Sequence, residues 1–371
     1  MVKLAIIHFN PIELYPPVMN WLNYVGGNQD QLEVRVFTKK NHANGKSFFP
    51  NNESIKIIRI GGANKRNSLL KYFDYFLFHS YTTLQLSLWR PGIVMYYETI
   101  SSVPAIMYKK FLNQHSRLFI HYHEYTSLPE YDQSGFFTRL SHSWEKKIYP
   151  SAEWISQTNQ ERMNFFLENN KKISIPNQFI LPNYPPQSWF TNETKKNFSF
   201  PLKIVYIGAL SLETMYTKEF VEWVITQKGK ITFDVYSSNI TADAKDFLLA
   251  ADKNIVRLFC AVDYFSLPGV FGNYDVGIIL YKGHIPNYIY NAPNKLFEYH
   301  VNGLDVWFPE QMAGTAAYIK TDSYPKILAL NFDKLSDLKI ADLTNREDLP
   351  FKINKYSAEV VFKELQSEIF V

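Results

Sequence analysis

Short apolar runs alternate along the chain with longer stretches in which apolar positions recur every three or four residues. Runs such as Leu4-Ala5-Ile6-Ile7 are apolar without a break, as strands are when a sheet is covered on both faces. In the first half the pattern predicts strands over Val2–His8, Leu32–Thr38, Ile55–Ile60, Ile93–Tyr97, Arg117–His123 and Trp154–Ser156. Helices are predicted between them over 14–25, 66–88, 101–113, 136–148 and 158–169. The alternation pauses at 181–200, where Leu181-Pro-Asn-Tyr-Pro-Pro and a polar stretch can continue neither a helix nor a central strand. It resumes with strands over Leu202–Ile207, Thr232–Tyr236, Val256–Leu258, Val276–Leu280, Val306–Phe308 and Ala317–Ile319. Helices are predicted near 216–227 and 241–250, from 293 onward, and over 356–369. This is the signature of parallel sheets with helices on both faces. It predicts an α/β chain of two Rossmann-like, doubly wound domains facing across a cleft. The boundaries read as a first domain over 1–185, a linker over 186–200, a second domain over 201–350, and a C-terminal helix over 351–371 that can cross back to the first.

A chain of 371 residues suits two domains at roughly 100–200 residues each. The single cysteine, Cys260, excludes a disulfide framework and a thiolate metal cluster. No apolar run reaches the roughly 18 residues of a membrane span, and Met1 leads directly into a strand with no cleavable leader pattern. A cytoplasmic protein is expected. Residues 1–200 carry 22 basic against 14 acidic side chains, and the remainder 17 against 21. A basic first half fits an anionic partner, such as a membrane surface or a charged acceptor, but also ordinary surface solvation. The 65–90 segment, with Lys65, Arg66, Lys71 and Arg90 among Phe, Leu and Trp, reads either as a helix lying on the inner membrane or as a domain helix with one wet face. Nucleic acid is not expected, because the basic residues form no dense run and accompany no nucleic-acid-binding motif.

Several chemistries drop out. Neither half has Gly-x-Gly-x-x-Gly after its first strand, which disfavours a dinucleotide-dependent dehydrogenase. There is no P-loop, no Gly-x-Ser-x-Gly elbow, no Asp-x-Asp pair and no His-Glu-x-x-His array, so no metal or resident cofactor is expected.

The most informative stretch runs from Asn291 to Phe308, Asn-Ala-Pro-Asn-Lys-Leu-Phe-Glu-Tyr-His-Val-Asn-Gly-Leu-Asp-Val-Trp-Phe. Pro293 suits a helix start and Gly303 a helix end. Free N–H groups and roughly half a positive charge at the helix N-terminus make an anion site. Lys295 adds a full charge, and Glu298, three residues on, can accept hydrogen bonds from vicinal hydroxyls such as those of a ribose. A solvated ion pair between the two is the plainer alternative.

This segment resembles the donor-binding motif of GT-B fold glycosyltransferases, especially the retaining family 4 enzymes of bacterial polysaccharide assembly, in which Pro-Asn-Lys-Leu-x-Glu-Tyr precedes Gly-x-Pro-Val. The resemblance extends over the chain. Lys203–Leu210 looks like the strand and glycine that open a donor domain, Tyr274-Asp-Val-Gly277 like the strand before the donor loop, and His121-Tyr-His-Glu124 like the histidine–glutamate pair of an acceptor domain. The resemblance implies a metal-independent hexosyltransferase-like enzyme that moves a sugar from a nucleotide-diphosphate donor to a growing glycan or lipid-linked glycan. Donor-site residues would be Gly208, Lys218, Val262, Tyr281, Asn294, Lys295, Leu296 and Glu298. His123 and Glu124 would be catalytic, with His8 and Tyr15 bordering the acceptor. A histidine near its ordinary pKa of about 6.5 could relay a proton at neutral pH. Two departures stand out: Ala209 where relatives carry arginine, and Tyr290 where they carry a glutamate. They keep two alternatives in play, a nucleotide-sugar epimerase on the same fold and an inactive binding or scaffold subunit.

Overall fold

The computed structural model describes residues 1–28, 32–41, 47–61, 68–192 and 197–370. Residues 65–67 of the basic-apolar segment, and 193–196 of the expected linker, lie outside them. The chain divides into two compact units, Met1–Asn183 with Ala358–Val371, and Tyr184–Ser357.

In the first unit, seven parallel strands are ordered β3-β2-β1-β4-β5-β6-β7. They are β1 (Val2–His8), β2 (Leu32–Lys39), β3 (Ile55–Ile60), β4 (Ile93–Tyr97), β5 (Arg117–Tyr122), β6 (Trp154–Gln157) and β7 (Gln178–Ile180). Because the central strands are buried on both faces, two cores form. One lies under the helices Ser68–Trp89, Ser102–Met107 and Phe136–Glu145, and takes Ala5, Ile7, Phe78, Tyr96 and Ile120. The other takes Leu4, Ile6, Trp21, Met95 and Phe119 together with Phe362 and Leu365 of the C-terminal helix Ala358–Ile369.

The second unit repeats the plan with six parallel strands ordered β10-β9-β8-β11-β12-β13. They are β8 (Leu202–Ile207), β9 (Ile231–Tyr236), β10 (Val256–Phe259), β11 (Val276–Ile278), β12 (Asp305–Pro309) and β13 (Ile327–Leu330). In both sheets the order reverses beside the first strand, between β1 and β4 and between β8 and β11. Ligands of such sheets bind at that switch point, beyond the carboxyl ends of the strands.

The strand expected over Ala317–Ile319 is not one. Residues 313–316 close a helical turn, and the outer strand is instead Ile327–Leu330, paired with β12. Residues 186–192, read as linker, are folded: Gln187–Trp189 forms a turn of helix, and Trp189 is buried against Tyr264 and Phe271. Among the described residues, no helix is long and apolar enough to cross a membrane.

Candidate functional site

In the second unit, the carboxyl ends of β8, β10 and β11 carry Gly208, the 260–263 loop and Tyr281. The helix Asn294–Val301 enters after Pro293, whose extended backbone (φ −72°, ψ 151°) turns the chain into the first helical turn. Two features seat that turn next to Gly208. The Tyr299 hydroxyl accepts the N–H of Ile207 at 3.0 Å, and its ring fills the space a Cβ at Gly277 would need, 2.1 Å from the ring carbon. Thr315 donates to the carbonyl of Asn291 at 2.7 Å and holds the preceding loop.

The Lys295 ammonium donates to the Tyr281 hydroxyl at 3.1 Å and lies 4.9 Å from the Tyr206 ring centre and 5.0 Å from that of Tyr281. A Cβ at Gly208 would come within 3.0 Å of it. Among the described residues, no carboxylate lies within ion-pairing distance of Lys295. Burial works to lower its pKa, but the surrounding tyrosine oxygens of Tyr206 and Tyr281 outweigh that and raise it above the usual lysine value. The ammonium therefore stays charged, and among the described residues the groups in direct contact with it are tyrosine hydroxyls and rings rather than a carboxylate, which leaves it able to receive an anion. Glu298 is buried, and burial pushes its carboxyl up to about 7 against the opposing pull of Lys295. No side-chain donor among the described residues occupies it.

Of the other donor-side residues, Asn294 is half-buried in the same first turn. Leu296 has its side chain fully buried in the core, and its N–H donates to the Pro293 carbonyl at 3.0 Å. Lys218 is exposed on the helix Thr217–Thr226, with its ammonium 3.9 Å from Glu222, one turn along. Val262 is half-buried beyond edge strand β10, separated from β8 by β9. The sequence reading missed Lys282, which follows Tyr281. It pairs with Glu219 at 3.0 Å and donates to the carbonyl of Leu212, so it pins the loop after Gly208.

In the first unit, His8, Tyr15 and His123 come together at the carboxyl ends of β1 and β5. His8 is 4.2 Å from Tyr15 and 6.3 Å from His123, ring centre to ring centre, and His123 stacks on Tyr97 at 5.1 Å. The proton positions follow from the partners. Ser156 gives its hydroxyl proton to the Ile120 carbonyl (3.3 Å), so His121 Nδ1 donates to Ser156 (2.8 Å). His121 Nε2 then accepts from His123 Nδ1 at 3.2 Å, with Asn183 Oδ1 at 3.3 Å as a further acceptor. His8 Nδ1 likewise donates to the Asn10 carbonyl at 2.8 Å. Both Nε2 atoms are left as buried lone pairs with no partner among the described residues. Burial lowers His8 to about 4 and His123 well below its ordinary value. Contrary to the expectation of a histidine titrating near neutrality, both are fixed neutral acceptors.

Glu124 is exposed. The carboxylate that organises this loop is one the sequence did not single out, Glu98. Its Oε1 accepts the N–H groups of His123 at 2.6 Å and of Glu124 at 3.2 Å. Its backbone has φ 64° and ψ 148°, a conformation that disfavours any residue but glycine. Burial, and then the charge of Glu124, push its carboxyl up to about 8. Its position directly after β4, at the switch point, was the only signal available.

Two doubly wound units with polar clusters at their carboxyl edges define the class: this is the fold of the GT-B glycosyltransferases. Among solved structures, the chain is similar to sucrose-phosphate synthase from Thermosynechococcus elongatus (TM-score 0.68, 11% identity, 100% of this chain and 99% of that one). It is also similar to Anabaena Alr3699/HepE in complex with UDP-glucose (TM-score 0.64, 9% identity, 100% of both chains). A third is the apo form of the lipopolysaccharide outer core galactosyltransferase WaaB (TM-score 0.62, 13% identity, 100% and 99%). At these identities the likeness establishes the fold. The sequence matches no protein-family model and no curated protein.

Proposed function

We propose that this chain is a glycosyltransferase of bacterial surface polysaccharide synthesis. It moves a hexose or related sugar from a nucleotide diphosphate to a growing glycan or lipid-linked acceptor at the cytoplasmic face of the inner membrane, without a metal. The observation that carries the reading is Lys295, a charged ammonium with tyrosine oxygens but, among the described residues, no carboxylate within ion-pairing distance, set against a left-handed glycine at the sheet's switch point. A diphosphate supplies the missing negative charge. The N–H groups of Asn294 and Lys295, in the first helical turn and without a backbone acceptor among the described residues, add to that attraction. Glu298 then takes the ribose hydroxyls, which lowers its pKa and restores its charge.

Chemically, departure of the nucleoside diphosphate leaves positive charge on the sugar ring and negative charge on the leaving phosphate. Lys295 and the helix N-terminus stabilise the latter as it develops. His123 Nε2, an unprotonated acceptor held in one tautomer, serves to hydrogen-bond a sugar hydroxyl rather than to shuttle a proton, since its pKa is too low for it to carry one at neutral pH. The solved relative that holds UDP-glucose supports a uridine nucleotide as the donor to try first.

The test is calorimetry and thermal unfolding with UDP-glucose, on wild type and on Lys295→Ala. At a hundred times its dissociation constant a donor raises stability by ~2.7 kcal/mol, and Lys295→Ala removes that rise. Release of UDP only when an acceptor is added supports transfer. An altered nucleotide sugar made without acceptor would identify an epimerase, and failure of a panel of nucleotide sugars to bind would leave the scaffold alternative.

A further inference from the structure

One face of the first unit is built unlike the rest of the surface. The helix Ser68–Trp89 turns Tyr75, Phe78, Leu86 and Trp89 into the core, yet its outer face is apolar as well. Leu70, Leu77 and Leu84 repeat every seven residues along it, flanked by Phe73, Phe76 and Leu88, and all six are exposed, Phe76 to 67% and Leu88 to 70%. From relative exposures and about 200 Å² per large side chain, this stripe exposes roughly 700 Å² of apolar side chain, above the 300–600 Å² of an ordinary monomer's largest patch.

The elements beside it share the same core and extend the face. The turn Tyr108–Leu112 exposes Phe111 and Leu112, and the helix Phe136–Glu145 exposes Phe136. Between these two elements opens a cavity of about 520 Å³, with Ile106, Phe111, Trp144 and Ile148 as its apolar walls and Lys110 and Lys147 among its lining. Charge on the face has one sign. Lys71, Arg90, Lys110, Arg139 and Lys147 are exposed. The acids of these same elements are not: Asp74 is buried against Lys39, and Glu145 is buried under the hydroxyls of Tyr96, Tyr122 and Thr99. Glu130 and Asp132 belong to the next helix, Leu128–Gln133, at the Arg139 end.

We infer that this face docks on a bilayer containing anionic lipid, with its phenylalanines and leucines entering the headgroup–acyl boundary, its lysines and arginines on the phosphates, and the 520 Å³ cavity receiving part of a lipid. Charge complementarity selects this occupant. A second copy meeting the face isologously would set the same five cations against themselves. An acidic protein would satisfy the cations but leave the apolar stripe without a purpose. The inference goes beyond the donor site and names the surface by which the proposed enzyme would meet a lipid-borne acceptor.

The experiment is vesicle flotation with phosphatidylcholine alone and with added phosphatidylglycerol, on wild type, Phe76→Ser/Leu84→Ser, Lys110→Gln/Lys147→Gln and Lys295→Ala. Both double variants change only exposed side chains, and unchanged thermal unfolding checks that they fold. Wild type floats with the anionic vesicles and is released by salt, and each double variant lowers the partition coefficient at least tenfold. Lys295→Ala floats as wild type does while losing nucleotide binding, so the two readings fail separately: a wild type that floats but binds no nucleotide sugar would fault the donor site alone, and one that binds a nucleotide sugar but does not float would fault this surface alone. No flotation, equal flotation with neutral vesicles, or a dimer dissolved by Phe76→Ser/Leu84→Ser would each overturn the inference, the last in favour of a second copy.

Discussion

The ammonium of Lys295 sits 3.0 Å from the point where a side chain on residue 208 would begin, so the glycine and the lysine share one space. Gly208 has φ +135°, and an L-residue there is strained whatever its neighbours do. Gly208→Ala should therefore cost on the order of 1–3 kcal/mol of stability. It should also push Lys295 off Tyr281 and weaken donor binding at least tenfold. Calorimetry on protein still folded by circular dichroism separates the two effects. Donor binding at wild-type strength in Gly208→Ala would mean that no ligand approaches this glycine.

Glu298 sets the pH dependence of donor binding. In the empty site its carboxyl is held at about 7, chiefly by burial. A ribose that donates two hydroxyl protons needs the ionised form. Affinity should then be greatest above pH 7 and fall as the pH drops through it, up to tenfold per unit once the carboxyl is protonated. Glu298→Gln should bind weakly throughout and lose most of that slope between pH 5.5 and 8. An unaltered slope in Glu298→Gln would remove the carboxylate from the ribose.

The alternation of apolar runs and helical periods fixed the order of elements almost completely, because parallel strands buried on both faces leave little ambiguity in a sequence. It failed at Ile327–Leu330 and Gln178–Ile180, outer strands too short to stand out from loops. Lys295 and Glu298 were legible because a proline start and a one-turn spacing put both on one side of the helix. Leu296 and Lys218 were carried over by motif position alone, which does not encode that the first has its side chain in a core and the second in solvent. Glu98 was invisible for a different reason. What makes it notable is a backbone angle and two N–H groups 25 and 26 residues away, and no local pattern encodes either.

That arrangement makes Glu98 a positioning residue for His123. Its protonated carboxyl keeps one oxygen as an acceptor, and an amide reproduces this, so Glu98→Gln should retain most of the activity. Glu98→Ala leaves two loop N–H groups unsatisfied and frees the His123 backbone. It should lower kcat by one to two orders of magnitude while leaving the donor dissociation constant unchanged, because the donor residues lie in the other unit. Should both variants lose the same amount, the role belongs to the charge rather than to the acceptor oxygen.

Buried titratable groups also shape the stability of the whole chain, in two opposing ways. His8 and His142 are lowered by burial to about 4, His79, His121 and His300 to about 3, and His123 well below its usual value. A group with a depressed native pKa stabilises above its unfolded value and loses that contribution as the pH falls, here from about 6.5 downward. Glu98, Glu145 and Glu298 are raised, again chiefly by burial, to about 8, 7 and 7. Their contribution is complete at low pH and is lost as the pH rises from the ordinary carboxylate range through those values. Between pH 5 and 6 the unfolded chain takes up protons on six histidines, against three that the native carboxyls retain. The histidines win there, and each unbalanced proton is worth about 1.4 kcal/mol per pH unit. Near pH 7 the two sets almost cancel. The unfolding free energy should thus fall steeply below pH 6, pass a broad maximum close to neutrality, and decline only gently by pH 7.5. Denaturant titrations across this range measure it directly. His79→Phe, at a ring stacked on Phe9 with both nitrogens unpartnered among the described residues, should flatten the acid limb by about one proton's worth. A limb of unchanged slope in that variant would mean that His79 is solvated and titrates normally in the folded protein.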